Sequence, residues 1–231
     1  MMRNGVVGIK KILFYTLQLS WLMLGFFIYG LSIVLVVKAG LGVSPWDVFH
    51  LGAANYLPFT FGQIMIGAGF LCIAISLPMG VRPRSGTILN MIFIGVFTDL
   101  IIAGGWIPEA DDYLARSLYL VVGVLSCGLA TGVYITANMG TGPRDSLMMG
   151  LHHITGWRIG VVRTIIEVAV TLLGFLLGGP VGLGTVAFSL TIGFSSELFL
   201  SLFCRCGLQE WFIASAASLN PDVGQGAVNK N

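Results

Sequence analysis

The chain contains six apolar segments, each close to the roughly 20 residues that a helix needs to cross the hydrocarbon core of a bilayer. They lie near residues 12–37, 60–79, 86–104, 116–137, 160–178 and 183–204. Only 10% of all residues are charged, against about 25% in a typical soluble domain, so polar side chains are too few to cover this apolar surface in water. The sequence therefore predicts an all-α membrane protein with six transmembrane helices.

Basic residues fall mainly on one side of the membrane if the spans are threaded from a cytoplasmic N-terminus. Ten of the 12 Lys and Arg residues then lie on the cytoplasmic side, and only Lys38 and Arg116 lie outside. Cytoplasmic loops of membrane proteins carry an excess of Lys and Arg, so we expect both termini in the cytoplasm. The prediction is a single membrane domain over residues 1–205 and a short cytoplasmic tail over 206–231, with 220–231 disordered.

An internal repeat covers most of the membrane region. Shifting the sequence by 98 residues aligns 24–100 with 122–198 without a gap, and 15 positions are identical, eight of them glycine. The two repeats, about 12–104 and 116–204, each hold three predicted spans. Because three is odd, the second repeat enters the membrane from the opposite side, which is the inverted-repeat architecture found in many transporters.

Each repeat has a distinctive loop after its first span, followed by an apolar segment too short to cross a bilayer. Residues 44–47 and 142–145 carry the residue types of a helix start in the same order: a capping residue, a proline at the first helical position and an aspartate at the third. Both loops therefore predict a short helix. The candidate substrate-binding residues of these loops are Ser44, Pro45, Trp46, Asp47, Gly142, Pro143, Arg144 and Asp145.

The two short helices have two interpretations. In the structural one, Asp47 and Asp145 only cap short helices at the membrane interface. In the functional one, the helices are re-entrant, enter from opposite sides, and present free N–H groups and positive dipole ends to an anionic or polar solute. Matching Gly- and Pro-interrupted segments in two halves are typical of a transporter binding site, so we favour the functional interpretation for the pair.

Two carboxylates lie inside predicted spans, about two turns from the cytoplasmic edge. An ionisable group at this depth is costly and is a functional candidate by default, so Glu167 and Glu197 are candidates for proton coupling. Glu167 has an equally good alternative role, because Arg163 lies four residues earlier and can form an intrahelical ion pair. Asp99, the repeat counterpart of Glu197, is expected near the outer edge, where water can hydrate it.

Four segments resemble the YczE branch of the bacterial YczE/YitT membrane proteins. They are residues 40–50, 141–151, 163–168 and 178–185. The resemblance runs over nearly the whole membrane part and implies a multi-pass protein of the bacterial inner membrane. Some relatives are grouped with exporters of small antibiotics, so the resemblance also implies an exporter-like function as an expectation.

The sequence leaves two functions open. The first is a secondary transporter or exporter of a small organic molecule, with proton coupling through Glu197 and Glu167. The second is a non-transporting membrane scaffold or regulatory partner of another protein. An enzyme is disfavoured because no nucleophile–base set and no metal-ligand spacing is present, and we expect neither a cofactor nor a metal. A net charge of +2 without a basic stripe gives no reason to expect nucleic acid, which leaves the lipid bilayer as the surrounding partner.

These two functions predict different packing at the paired loops. A transporter requires a water-accessible cavity between the halves that reaches both loops. A scaffold should be packed shut there.

Overall fold

The computed structural model describes residues 2–219, so the predicted disordered end, 220–231, lies outside the described residues. The described chain is entirely helical, which confirms the all-α prediction. Its helices are α1 (Met2–Ala39), α2 (Pro45–Ala54), α3 (Phe61–Ser76), α4 (Ser85–Ala103), α5 (Tyr113–Thr136), α6 (Pro143–Thr155), α7 (Ile159–Leu176), α8 (Leu183–Arg205) and α9 (Leu208–Leu219).

Five of the described helices are long and apolar enough to cross a membrane: α1 from Lys10 onward, α4, α5, α7 and α8. The second predicted span, 60–79, is represented by α3, which has 16 residues and is therefore only about 24 Å long. The reason is local. Leu77 is still α-helical and donates to the oxygen of Ile73, but Pro78 has no backbone N–H to donate to the next carbonyl, so the helix ends there and a turn with positive φ at Gly80 follows.

The two short helices that the loops predict are present. α2 has 10 residues and α6 has 13, and each begins at the predicted proline. A further helix, α9, occupies the first part of the predicted tail. Its Phe212 is buried and lies 6.2 Å from the ring of Phe14 on α1, so this part of the tail packs against the first helix.

The centre of the protein is an antiparallel pair of helices, α1 and α5. Gln18 donates a hydrogen bond to the backbone oxygen of Ala137 (2.7 Å), whereas Val36, five turns later, meets Gly123 at the other end of α5. Residue numbers therefore rise along α1 as they fall along α5. Apolar side chains fill the space around this pair and join α4, which packs on α1, to α8, which packs on α5.

Glycines allow α2 and α7 to approach at backbone distance. A Cβ added to Gly52 would lie 2.5 Å from the backbone oxygen of Gly174, and a Cβ on Gly174 would overlap the backbone of Phe49. α6 packs on α3, and Gly150 of α6 touches the side chain of Met79 in the turn that follows α3. Each short helix is thus held by a helix of the other half of the chain, and the α2–α7 contact uses the small residues that are usual at membrane helix interfaces.

The first prediction concerns this close contact. Gly174→Ala should lower the melting temperature of the detergent-solubilised protein, because the added methyl group must displace backbone atoms of α2, and overpacking costs about 1–3 kcal/mol. The matched control is Gly67→Ala, since Gly67 lies in α3 with open space around its Cβ position. A helical Gly→Ala change without a steric cost gains up to about 1 kcal/mol, so Gly67→Ala should raise the melting temperature or leave it unchanged. Equal shifts for the two variants would contradict the packing.

Candidate functional site

The loop after α1 and the loop after α5 reverse direction with the same backbone conformations. Gly40 and Gly42 have φ angles of 62° and 103°, and their counterparts 98 residues later, Asn138 and Gly140, have 54° and 134°. Glycine adopts positive φ without strain, and asparagine is among the few other residues that adopt it routinely. These residues allow the chain to leave a long helix and start a short one within a few residues.

Each loop is fixed by a backbone hydrogen bond to the other half of the chain. Gly184 at the start of α8 donates to the oxygen of Leu41 (2.7 Å), and Gly86 at the start of α4 donates to the oxygen of Met139 (2.9 Å). The second bond is the 98-residue counterpart of the first. Because a Cβ on either donor glycine would fall within 3 Å of the acceptor residue, these bonds also require glycine at the donor position.

The predicted start of α2 is confirmed. Ser44 is the N-cap and its hydroxyl accepts a hydrogen bond from the backbone N–H of Asp47 (3.3 Å). The carboxylate of Asp47 in turn accepts from the Ser44 hydroxyl (2.5 Å) and faces Nδ1 of His50 (3.2 Å). All three side chains are buried, so the first turn of α2 forms a compact polar cluster.

The predicted start of α6 is also confirmed, with a glycine at the cap. Asp145 accepts a hydrogen bond from the backbone N–H of Gly142 (3.2 Å). The guanidinium carbon of Arg144 lies 4.8 Å from the ring centroid of Trp46 on α2, which is within the range of a cation–π contact. The first turns of the two short helices therefore touch each other.

A cavity of about 410 Å³ opens where these two helix starts meet. Its walls come from α1, α2, α5, α6, α7 and α8. A smaller cavity of about 90 Å³ adjoins it and shares Trp46, Arg144 and Asp145. Of the predicted site residues, the larger cavity is lined by Ser44, Pro45, Trp46, Asp47, Arg144, Asp145, Glu167 and Glu197, and the smaller one by Gly142 and Pro143 as well.

The structure thus brings all ten predicted residues to two neighbouring cavities, although their roles there stay predictions. The two membrane carboxylates differ. Glu167 forms the intrahelical pair with Arg163, with Nε and Oε1 2.9 Å apart. Glu197 is exposed in the cavity wall and has no hydrogen-bond or ion-pair partner among residues 2–219. Asp99 is bound within the chain as well as reachable by water, since it accepts from the backbone N–H of Gly62 (2.8 Å) and from Thr60.

Several residues that line the cavity were not among the candidates predicted from the sequence. Tyr29 and Ser32 on α1 recur at helical spacing on one face, and Tyr134 reaches the cavity from α5. The ring centroids of the two tyrosines are 6.4 Å apart. His50 was not among the candidate residues either; it does not line the cavity, but its buried Nε2 has no partner in the described chain. The spacing of Tyr29 and Ser32 was a usable signal, whereas nothing in the local sequence indicated the environment of His50.

The chemistry that this arrangement offers is recognition of polar groups. Two helix N-termini converge on the cavity and bring positive dipole ends. Arg144 adds a cation, and no carboxylate lies within 4 Å of its guanidinium in the described chain. Aromatic rings supply apolar contact surface. Residues 2–219 contain no group of three His, Cys, Asp or Glu side chains suited to hold a metal ion.

Comparison with known proteins gives a family but no solved structure that matches the chain. Residues 16–201 match a family of unknown function, DUF6198. An uncharacterized protein of Haemophilus influenzae is 36% identical over 187 residues, covering 81% of this chain and 85% of that protein. The uncharacterized membrane protein YczE of Bacillus subtilis is 37% identical over 166 residues, covering 71% and 76% of the two chains. The chain therefore belongs to the DUF6198 family and is a YczE-type membrane protein.

Proposed function

We propose that this protein is a secondary transporter that carries a small organic molecule across the bacterial inner membrane. The observation that supports it is the cavity of about 410 Å³ between the two halves, which reaches both paired loops. Ligand pockets for small molecules commonly measure about 300–1,000 Å³. A scaffold protein has no need to keep such a space open, because packing it shut would bury more apolar surface.

The architecture that we propose is six spans arranged as two inverted repeats, with α3 as the second crossing and both termini in the cytoplasm. The antiparallel contact of α1 with α5 supports it, because these two helices are repeat counterparts. The paired bonds from Gly184 to Leu41 and from Gly86 to Met139 support it too. In this arrangement α2 and α6 are re-entrant helices from opposite sides that meet near the midplane, as in other transporters with discontinuous helices.

The proposed substrate carries an anionic or strongly polar group on an apolar body. Arg144 lies in the first turn of α6 and lines the cavity. Its guanidinium stacks on the ring of Trp46 and forms no ion pair with a carboxylate of the described chain. A guanidinium in this setting binds carboxylate or phosphate groups well. Tyr29 and Tyr134 supply the surface for the apolar part of the molecule.

Proton movement is the proposed driving force, with Glu197 and Glu167 as the coupling groups. Both carboxylates line the cavity, and Glu197 has no hydrogen-bond or ion-pair partner in the described chain. Ionisable residues within membrane spans are the usual components of proton relays. Arg163, which pairs with Glu167, would then respond to the charge of that carboxylate.

The proposed topology predicts which surface positions face each side. In a background with the exposed Cys204 and Cys206 changed to Ser, Asp111→Cys should react with a membrane-impermeant maleimide in intact cells. Arg82→Cys should react only after the membrane is permeabilised. Both positions are exposed and lie in loops, so accessibility differs only by side. Equal labelling of the two positions in intact cells would contradict the inverted repeat.

Transport itself predicts accumulation of at least one compound in proteoliposomes. The probe is a defined mixture of amino acids, carboxylic acids, nucleosides and short peptides, with contents measured by mass spectrometry against protein-free liposomes. Arg144→Gln should reduce the uptake about tenfold or more, since hydrogen bonds to charged groups contribute about 1.5–3 kcal/mol. Arg205→Gln, at the exposed end of α8, is the matched control and should transport normally. No accumulation above protein-free liposomes would favour the scaffold role.

Proton coupling predicts a specific defect in Glu197→Gln. Glutamine keeps the shape and a hydrogen-bonding oxygen but exchanges no proton, so uptake driven by a pH gradient should be lost while substrate binding is largely retained. Asp47→Asn should instead weaken the start of α2 and lower affinity. Glu210→Gln, in the exposed tail helix α9, is the control. Full pH-dependent uptake by Glu197→Gln would leave this carboxylate without a coupling role.

A further inference from the structure

The two repeats make corresponding contacts at most places but differ in one. In the first repeat, α3 and α4 are in contact along their length. A Cβ on Gly95 would lie 2.6 Å from the oxygen of Gly62 and 2.8 Å from the side chain of Ile66. The first repeat is therefore closed between its second and third long helices.

A carboxylate fixes this closed contact at one end. Asp99, near the end of α4, accepts a hydrogen bond from the backbone N–H of Gly62 (2.8 Å) and another from the hydroxyl of Thr60, the N-cap of α3. The first turn of a helix has free N–H groups and a positive dipole end. Asp99 thus acts as a latch that joins α4 to the N-terminus of α3.

The same contact is open in the second repeat. The counterparts of Gly62 and Gly95 are Gly160 on α7 and Gly193 on α8, and no atom lies within 4 Å of a Cβ built at either position. The counterpart of Asp99 is Glu197, which has no partner in the described chain. No side chain caps the first turn of α7 at Arg158. The second repeat therefore has the residues for a similar latch, but Glu197 does not contact the start of α7 in this conformation.

The open contact also borders the cavity. Its wall includes Arg163 and Glu167 on α7, and Ser189 and Glu197 on α8. Bringing α7 onto α8, as α3 already lies on α4, would close the cavity along this wall. In the proposed topology α7 begins and α8 ends at the cytoplasmic face, so the open contact would lie on the cytoplasmic side and the closed contact between α3 and α4 on the outer side.

We propose that α7–α8 is a gate which closes when Glu197 binds the N–H groups and Arg158 at the start of α7, while the Asp99 latch releases and α3 separates from α4. This gate rests on the proposed transport function and supplies its mechanism. The second conformation is the first with the roles of the repeats exchanged. α7 and α8 can approach each other as closely as α3 and α4 do, because Gly160 and Gly193 have the same small size as Gly62 and Gly95.

The short helices couple the two gates. α7 is packed on α2 through Gly174 and Gly52, and α6 is packed on α3 and also touches Met79 in the turn that follows α3. Movement of α7 onto α8 therefore displaces α2, whose Trp46 touches Arg144 on α6. That displacement passes through the substrate cavity to α6 and then to α3.

Disulfide trapping tests the exchange without requiring a known substrate. The counterparts of the contacting pair Ile66 and Gly95 are Thr164 and Gly193. In membrane vesicles, with Cys204 and Cys206 changed to Ser, the double variant Thr164→Cys/Gly193→Cys should form an intramolecular disulfide on mild oxidation. The control pair Thr164→Cys/Phe194→Cys uses the next residue along α8, whose side chain is 78% exposed and points about 100° away around the helix; it should react at least tenfold more slowly.

Two further changes test the latch and the small-residue contact in the trapping variant. Glu197→Ala should slow disulfide formation about fivefold or more, and Glu197→Asp, which copies the residue of the other latch, should restore most of the rate. Gly160→Leu fits the open conformation, because its surroundings are empty, but should prevent closure and the disulfide. Gly67→Leu, at an equally open glycine on α3, should leave the rate unchanged.

The outcomes separate the gate from the transport proposal. Formation of the disulfide in proteoliposomes that accumulate none of the tested compounds would support the moving gate and favour the scaffold role over transport. A melting temperature equal to that of the parent protein shows that the reduced Thr164→Cys/Gly193→Cys protein is folded, and in that protein equal rates for the test and control pairs would overturn the gate. A rate that is unaffected by Glu197→Ala would remove Glu197 from the latch.

Discussion

The reciprocal docking of the two loops is the constraint on which the rest of the structure depends. Inside a bilayer, backbone groups that leave a helix must find partners within the protein. The bonds from Gly184 to Leu41 and from Gly86 to Met139 satisfy this requirement at both loops. They also commit each loop to the opposite half of the chain. As a result each short helix begins at a loop that is docked on the opposite repeat, and both helix starts are directed to one shared cavity.

The contact between Arg144 and Trp46 joins the two short helices at the shared cavity. It is the point where the first turns of α2 and α6 meet. In the proposed transport cycle, a solute that binds Arg144 would compete with the cation–π contact and so change the packing of α2 against α6. Solute binding and movement of the proposed gates would then share one set of contacts, as a ligand needs in order to shift a conformational equilibrium.

Local sequence chemistry predicted the elements of the site well but not their surroundings. The capping residues at Ser44 and Gly142 fixed where the short helices begin, because capping depends on a few adjacent residues. The shortness of α3 followed from Pro78, a signal that apolar content alone concealed. The open contact between α7 and α8 could not be predicted from the sequence. Gly62 and Gly160 are the same residue at corresponding positions of the two repeats, but only Gly62 is packed against another helix. The environment of His50 likewise depends on residues distant in the chain.

The positions at which the two repeats differ in sequence bear on the proposed gate more than the identical positions do. If both latches were the same, the two exchanged conformations would be nearly equal in energy. Asp99 binds a neutral threonine hydroxyl at the cap of α3, whereas the corresponding cap of α7 is Arg158. The carboxylate of either latch accepts charge-assisted hydrogen bonds, because the acceptor is ionised. In the proposed second latch one partner would also be the guanidinium of Arg158, the N-cap of α7, which would add an attraction between opposite charges that the first latch lacks. The two conformations of the proposed gate would therefore differ in energy, and the residues at the caps of α3 and α7 would be the cause.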